Sequence, residues 1–273
     1  MLRFDLYAAG VIAPGVNSLD ELLAMRRSGP LPSVAGIELP SPKSLPANER
    51  RRASQVVRLT LACAEQALEA SPFAVEQLRM VFASDEGTGE VCQQMLESLA
   101  TTRAVSPLVF HNSVHNAPSG YFSIGHQNQQ SAVSVSLGHE SFASGLLCAV
   151  AEAQTSGQPV LFLSYDASMP EPLRGVLPIA QATATAWIIA SALQPMCGRP
   201  PIARFDVELC DAIADADDAT PDWMPAGWSS NSSAEAFRVL AMLDGRDATC
   251  EMPLGAQRLR VTRVSEFSEA ATC

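Results

Sequence analysis

The chain has 273 residues, of which 47% are hydrophobic and 17% charged, a composition typical of one large or two small compact domains. A chain of this size buries enough surface to fold without disulfides or a structural metal. Seventeen arginines, one lysine and 29 acidic residues give a net charge of −11. That balance disfavours nucleic acid, anionic membranes and acidic proteins as partners over most of the surface.

The cysteines and the apolar segments indicate the compartment. Seven cysteines are an odd number and no two form a CxxC pair, which favours reduced thiols over disulfides or zinc. The first residues, MLRFDLYAAGVIAPG, make a poor signal peptide because Asp5 interrupts a short apolar run. The most apolar stretch, Ala182–Leu193, is too short to cross a bilayer. We therefore expect a soluble cytoplasmic protein with no membrane insertion.

The first two hundred residues alternate between two patterns. Five apolar stretches bounded by turn residues predict buried strands at Leu2–Ala8, Arg79–Ser84, Ala132–Ser136, Val160–Tyr165 and Ala184–Ala190. Helical spacing between them predicts helices at Glu49–Ala70, Glu86–Ala100 and Ser141–Ala153, the last ended by Gly157. This alternation predicts an α/β layered fold with a mixed or mostly parallel sheet.

The pattern becomes sparser after residue 200. It predicts strands at Ala203–Cys210 and Leu259–Val264 and a helix at Ala234–Leu243. The intervening loop, Asp211–Ser233, carries Trp223 and Trp228, two of the three tryptophans. Because tryptophan is rarely left in water, we expect this loop to pack against the rest of the protein.

The four histidines, at positions 111, 115, 126 and 139, do not form a recognisable metal site. Their spacings of 4, 11 and 13 match no standard zinc ligand set, and HNSVH is not HExxH. A dinucleotide site is not indicated either, since Gly87-Thr88-Gly89 lacks the third glycine of GxGxxG. Lys43, the only lysine, lies in a proline-rich run that is a poor place for a catalytic amine. We expect no metal and no other cofactor.

The most informative segment is the strand-to-helix corner Ser136-Leu137-Gly138-His139-Glu140-Ser141. Such corners present one side chain to a pocket in α/β folds. This one is not a G-x-S-x-G nucleophile elbow. Gly138 suits the tight turn, and Ser141 is expected to cap the helix rather than attack a substrate.

The corner and the segment before it resemble the β-ketoacyl synthase branch of the thiolase-like proteins. That family carries P-N-x-x-A-G-x-x-S-I, then a strand S-I-S-x-x-T-A, then a nucleophilic cysteine at a helix start; here His115–Ile124 reads H-N-A-P-S-G-Y-F-S-I. Asn116 and His139 are 23 positions apart, the separation between the family's Asn and Cys. Upstream, E-R-R-R-A-S at Glu49–Ser54 is similar to the family's P-x-x-x-R-R-M-S helix start.

Within that family the chain resembles the short ketosynthase-like proteins of aryl polyene and xanthomonadin-type pigment clusters. These combine S-V-H-N-A-x-x-G with E-S-F-A-A-G-L-L, which read here as Ser113–Gly120 and Glu140–Leu147. The resemblance implies a thiolase-like layered fold with a mixed five-stranded sheet between helices. It implies one domain over residues 1–273, with a ketosynthase N-terminal half at 1–195 and a reduced C-terminal remnant at 196–273.

Measured against an active synthase, the chain lacks the catalytic set. The family needs a cysteine nucleophile, two later histidines and a later lysine. Here His139 occupies the cysteine position with Glu140 beside it, no histidine follows residue 139, and no lysine follows residue 43. Cys148 is expected to be a core thiol. Condensation by this chain alone is therefore not expected.

Loss of the nucleophile resembles the chain-length factor, the inactive homologue that pairs with an active ketosynthase and shapes its acyl tunnel. The resemblance implies a heterodimer with a full-length β-ketoacyl-ACP synthase, in which strand Ser131–Leu137 pairs across a two-fold axis and loop Leu108–Ser113 approaches the partner's tunnel. The implied tunnel and interface residues are Val109, Phe110, Ser113, Val114, Asn116, Val133 and Val135. An acidic acyl carrier protein is expected to dock on the partner and to meet this chain only indirectly, except at Arg50-Arg51-Arg52.

Two alternatives stay open at this point. In the first, the chain is an enzyme with different chemistry that uses His139 or Glu140 as a general base. Otherwise it is a stand-alone acyl-binding or scaffold protein that forms homodimers and needs no synthase.

Overall fold

A computed structural model of the chain describes residues 1–29, 36–37, 39, 41–193, 200–212 and 220–265. Its eight strands are β1 (Leu2–Ile12), β2 (Arg79–Ala83), β3 (Ala132–Val135), β4 (Val160–Asp166), β5 (Thr183–Ser191), β6 (Ala203–Asp211), β7 (Thr249–Leu254) and β8 (Gln257–Arg263). Its α-helices are α1 (Leu19–Ser28), α2 (Ala47–Arg52), α3 (Gln55–Ala70), α4 (Gly89–Thr101), α5 (Pro107–His111), α6 (Ala117–His126), α7 (Ser141–Ser156) and α8 (Glu235–Ala241). The expected boundary between residues 195 and 196 lies outside the described residues.

All eight strands form one sheet in the order β3-β2-β4-β5-β1-β6-β8-β7. The pairs β3–β2 and β2–β4 are parallel, and every other neighbouring pair is antiparallel. The mixed α/β architecture is as predicted, but the sheet has eight strands rather than five. The expected number of strands was wrong because β6, β8 and β7 continue the sheet beyond β1.

Successive side chains of a strand point to opposite faces of the sheet, so the core is divided into two clusters, one on each face. On one face, Phe162 and Trp187 belong to a cluster that includes α7; on the other, Leu161 and Ile188 belong to a cluster that includes α3. Both faces of the central strands are therefore apolar, as in sheets covered by helices on both sides. The result is a layered arrangement with the sheet between α3 and α7.

Helix α7 is anchored to its face of the sheet by aromatic packing. Phe142 at its start packs edge-on against Trp187, with ring centroids 5.5 Å apart, and lies 5.6 Å from the Phe162 ring. The same apolar cluster includes Trp223 and Trp228 from the C-terminal part of the chain. The expectation that these tryptophans pack down is confirmed, although residues 213–219 of their loop lie outside the described residues.

Two predicted elements differ from those observed. The single helix expected at Glu49–Ala70 is two helices, α2 and α3, because Ala53 and Ser54 are extended and the Ser54 hydroxyl caps α3 by accepting from the Val57 N–H. The expected loop at Leu108–Ser113 contains the one-turn helix α5, which begins with Pro107, a residue preorganised for the first helical position.

A glycine of α7 permits its close approach to the sheet. A Cβ added at Gly145 would lie 2.5 Å from the Ala83 Cβ and 2.9 Å from a Phe162 ring carbon, whereas one added at Gly120 of α6 would meet nothing within 4 Å. We predict that Gly145→Ala lowers the free energy of unfolding by about 1–3 kcal/mol through overpacking. Gly120→Ala, the matched control, should raise it by about 0.5–1 kcal/mol because it removes a helical glycine. Denaturant unfolding of both variants measures the difference, and equal effects would contradict the packing argument.

Candidate functional site

The corner between β3 and α7 is held in a fixed shape by Ser141. The Ser141 hydroxyl donates to the Gly138 carbonyl over 2.7 Å and accepts from the Leu137 N–H over 2.9 Å. Gly138 has a left-handed φ of 58°, which glycine adopts without a steric penalty. Ser141 is fully buried and its hydroxyl is engaged on both sides, so it braces the turn and is not available as a nucleophile.

His139 and Glu140 differ in how they are held. His139 is exposed, and its side chain makes no hydrogen bond or ion pair with any residue that the structure describes. Glu140 Oε2 accepts from the Gly255 N–H over 2.8 Å, at the turn between β7 and β8. The carboxylate thus fixes the hairpin next to the corner. The arrangement holds no thiolate, and no base at the corner is hydrogen-bonded to a nucleophile.

A buried carboxylate connects the corner to the ends of β2 and β4. Asp166, at the end of β4, is fully buried and accepts from the Ser84 hydroxyl (2.7 Å), the Asp85 N–H (2.8 Å) and the Ser232 hydroxyl (2.7 Å). Ser136 of the corner in turn donates to the Asp85 carbonyl over 2.7 Å. One carboxylate therefore links β2, β4, the corner and the C-terminal part of the chain.

Burial changes the pKa of that carboxylate. Removal from water raises the pKa of Asp166 from 3.8 to about 6, although its three hydrogen bonds lower it. Burial and the nearby Asp85 also raise the pKa of Glu86. The sequence reasoning missed Asp166, whose only signal was an acid at the end of an otherwise apolar run.

The four histidines are not brought together. His115 reaches the Ser84 carbonyl at 3.4 Å, the His111 ring lies 6.0 Å from that of Tyr121, and the His126 ring lies 4.4 Å from that of Phe122. Burial lowers the pKa of His126. Within the described ranges no three His, Cys, Asp or Glu side chains are placed to hold a metal ion.

The remaining polar candidates are accounted for by local contacts. Lys43 is exposed and forms an ion pair with Glu69 at 2.8 Å. Cys148 is half-buried against the α7 side of the core, and burial raises the pKa of its thiol. No helix in the described part of the chain is long and apolar enough to cross a membrane.

Three of the predicted interface residues line one groove between α5 and α6. This α5–α6 groove has a volume of about 530 Å³, and its walls include Phe110, His111, Val114, Asn116, Tyr121 and Ile124. Phe110 is 61% exposed, Val114 47% and Ile124 71%. Large apolar side chains grouped in this way on a surface mark an interaction site more often than a solvated one.

The other four predicted interface residues lie around the groove. Val109 lines a second pocket on the opposite side of α5, and Ser113 closes the α5 turn by donating to the Phe110 carbonyl over 2.8 Å. Val133 and Val135 lie on β3, one of the two edge strands of the sheet, where Val133 is exposed and Val135 packs against the core. The groove and the pocket thus lie on either side of α5, whereas the two valines lie on an edge strand, with Val135 on the α7 face of the sheet.

The fold is that of a ketosynthase-like protein. The sequence profile of the β-ketoacyl synthase N-terminal domain matches residues 27–244, and the chain belongs to that family. No protein of curated function matches the sequence.

Several solved structures share the fold. A chain from the structure of a ketosynthase in complex with its chain length factor from Xenorhabdus doucetiae is 22% identical, with a TM-score of 0.73 over 96% of this chain and 100% of that one. A chain of the ishigamide ketosynthase/chain length factor is 15% identical, with a TM-score of 0.73 over 96% and 99%. A chain from a type II polyketide acyl-carrier protein in complex with its ketosynthase is 13% identical, with a TM-score of 0.63 over 78% and 70%.

The raised pKa of Asp166 predicts a pH-dependent stability. Because the folded state holds this proton more tightly than the unfolded state, the contribution of Asp166 to stability rises as pH falls from above 6 towards 3.8. Between pH 7 and 5 the gain is about 1 kcal/mol. Asp166→Asn removes the titration, so the difference in unfolding free energy between the two proteins should shift by that amount across the interval. Parallel pH profiles from urea unfolding would contradict the assignment.

Proposed function

We propose that this chain is the non-catalytic, chain-length-factor-like subunit of a ketosynthase heterodimer that elongates polyene or fatty-acid-like chains. Its partner is a full-length β-ketoacyl-ACP synthase, which supplies the nucleophile and the decarboxylation machinery. The observation that carries the proposal is the intact corner with His139 at its tip. The turn keeps its bracing hydrogen bonds, and the side chain it presents cannot form an acyl thioester.

The exposed surface supports a partner rather than an isolated subunit. Within the described part of the chain, the edge strand β3 bonds only to β2, so its other side presents backbone groups that a second strand can bond. The apolar side chains of the α5–α6 groove are also left exposed. We infer that β3 pairs with its equivalent in the synthase and that α5 faces the partner's acyl tunnel.

The charge distribution supports an indirect role for the carrier protein. The chain has a net charge of −11, so an acidic carrier is repelled over most of its surface. The exception is the run Arg50-Arg51-Arg52 in α2, whose only described ion pair joins Arg52 to Glu49 at 3.7 Å. We infer that the carrier docks mainly on the synthase subunit.

The alternative of a distinct enzyme is less well supported. Glu140 is committed to the β7–β8 turn, and His139 has no group among the described residues to orient it as a base. A stand-alone acyl-binding protein is compatible with the α5–α6 groove, and stable co-purification with a full-length synthase from the native host distinguishes it from the heterodimer.

The proposal predicts that restoring the cysteine does not restore catalysis. His139→Cys supplies a thiol at the corner, but this sequence has no histidine after residue 139 and no lysine after residue 43 to stabilise an enolate. The purified variant, incubated alone with acyl and malonyl carrier proteins, should show no condensation. The wild-type chain with its synthase serves as the active control. Condensation by the variant alone, measured by mass spectrometry of carrier-bound products, would refute the assignment as a non-catalytic subunit.

The groove predicts a determinant of product length. Phe110→Ala removes a large rigid apolar surface where the growing chain is expected to stop, so the heterodimer should release longer products. Leu108→Ala is the matched control, because Leu108 lies on the same helix but on its other side. Product lengths are read by mass spectrometry after each complex is shown to be intact. An intact Phe110→Ala complex with unchanged products removes the tunnel role and leaves Phe110 as an interface anchor.

A further inference from the structure

The part of the chain that builds α5, α6, β3 and the tip of the corner contains no acidic residue, lysine or arginine. From Ala104 to His139 the sequence runs for 36 consecutive residues without one. Charged residues make up 17% of the whole chain, so a stretch of this length would ordinarily contain about six of them. We call residues 104–139 the uncharged segment.

The uncharged segment nevertheless forms part of the surface. Six of its large apolar side chains are between 36% and 71% exposed, namely Leu108, Phe110, Val114, Ile124, Val133 and Leu137. Charged residues are depleted from the cores of protein interfaces, whereas a surface that stays in water usually carries them. The segment therefore has the composition of a surface that a partner removes from water.

Histidine is the side chain through which this segment can gain charge near neutral pH. All four histidines of the chain lie in it, at positions 111, 115, 126 and 139. Burial lowers the pKa of His126 and raises that of Tyr121, so both of these side chains favour their neutral forms. His111 and His139 are exposed, and His115 is partly buried. Because histidine changes charge between pH 5 and 8, acidification places positive charge on a segment that otherwise carries none.

The charged groups around His111 do not pair with it. The His111 ring lies 6.0 Å from that of Tyr121, and Glu49 of α2 is on the wall of the same α5–α6 groove. Glu49 forms an ion pair with Arg52 at 3.7 Å, and Glu90 of α4 lines the second pocket, on the other side of α5. A protonated His111 would therefore enter an interface without a bonded counter-charge from the described part of this chain.

The other two accessible histidines also have acidic neighbours without an ion pair. The His115 Nε2 lies 3.4 Å from the Ser84 carbonyl, which precedes the acidic pair Asp85-Glu86. His139 is followed by Glu140, whose carboxylate is hydrogen-bonded to the β7–β8 turn. Removing an imidazolium from water without a bonded carboxylate is unfavourable, because its lost hydration is not replaced.

We propose that the histidines of the uncharged segment make assembly with the synthase subunit dependent on pH. The neutral imidazoles of His111 and His139 are buried when the subunits associate, and protonation of either opposes that burial. The complex then holds fewer protons than the separate subunits, so its affinity falls as the pH falls. This inference rests on the proposed function, because it concerns the interface of that heterodimer.

The dissociation constant of the complex with the full-length synthase of the native host, measured at pH 7.5 and 5.5, tests the inference. An imidazole that titrates in the separate chain but stays neutral in the complex changes this constant about 10-fold over that interval. The constant of the wild-type complex should therefore rise about 10-fold or more, and the complex should form again when the pH is returned to 7.5. Circular dichroism at pH 5.5 verifies that both subunits remain folded.

A double variant assigns the pH dependence to the two histidines. His111→Gln with His139→Gln cannot be protonated, so its rise should be smaller than that of the wild type by about 10-fold or more. The matched control is His126→Gln, which lies in a different pocket beside Lys43 and Glu65 and should keep the wild-type rise. Equal rises in the wild type and the double variant would overturn the inference. Absence of a wild-type complex at pH 7.5 would instead contradict the proposed function itself.

A fixed charge tests the same position without a change of pH. His111→Lys carries its charge at both pH values, so at pH 7.5 it should weaken the complex about 10-fold or more. Val176→Lys is the matched control, because Val176 is 81% exposed and lies outside the uncharged segment. An unchanged dissociation constant for His111→Lys, or an equal loss for Val176→Lys, would overturn the inference. This measurement also decides the case in which the double variant does not assemble.

Discussion

The buried carboxylate of Asp166 is the constraint that holds the ends of β2 and β4 to the C-terminal part of the chain. A carboxylate taken out of water is tolerated only if hydrogen-bond donors replace its hydration, and here the donors come from Ser84, Asp85 and Ser232. These residues belong to the end of β2 and to the C-terminal part of the chain, so satisfying one charge fixes how distant segments meet. Ser136 connects the corner to this network by donating a hydrogen bond to the Asp85 carbonyl. The geometry of the corner is therefore maintained by these polar contacts.

The contacts that hold the corner do not involve the side chain at position 139. In an α/β fold the turn before a buried helix is shaped by the packing of that helix, and α7 packs tightly against β2 and β4 through Gly145. The bracing by Ser141 and the contact of Glu140 with the β7–β8 turn also concern stability. A side chain at position 139 is presented to solvent whatever its identity. The geometry of the corner therefore does not depend on the residue at its tip, and the fold alone is weak evidence for or against catalysis.

The sequence was sufficient where a single local signal dominated. The apolar strands, the end of α7 at Gly157 and the family corner all depend on neighbouring residues, and each is found where predicted. The break at Ala53 and Ser54 was missed because the charged run Glu49-Arg50-Arg51-Arg52 consists of good helix formers and does not itself mark a helix end. Strand β7 was missed because Pro253 argues against a strand, although it is tolerated at the edge of a sheet. The role of Asp166 depends on residues brought near by the fold, so no sequence pattern contains it.

The two edge strands of the sheet differ in how well they are protected against pairing with strands of other molecules. At the β7 edge, Pro253 and the carboxylate of Glu251, which Arg260 binds, obstruct an incoming strand. Strand β3 reads Ala-Val-Ser-Val between two serines and carries neither charge nor proline. An unprotected edge of this kind recruits any exposed strand, including that of a second copy, and so favours aggregation when it is left open. Within the described sheet, the β3 edge is therefore the place where edge-to-edge aggregation of the isolated chain would begin.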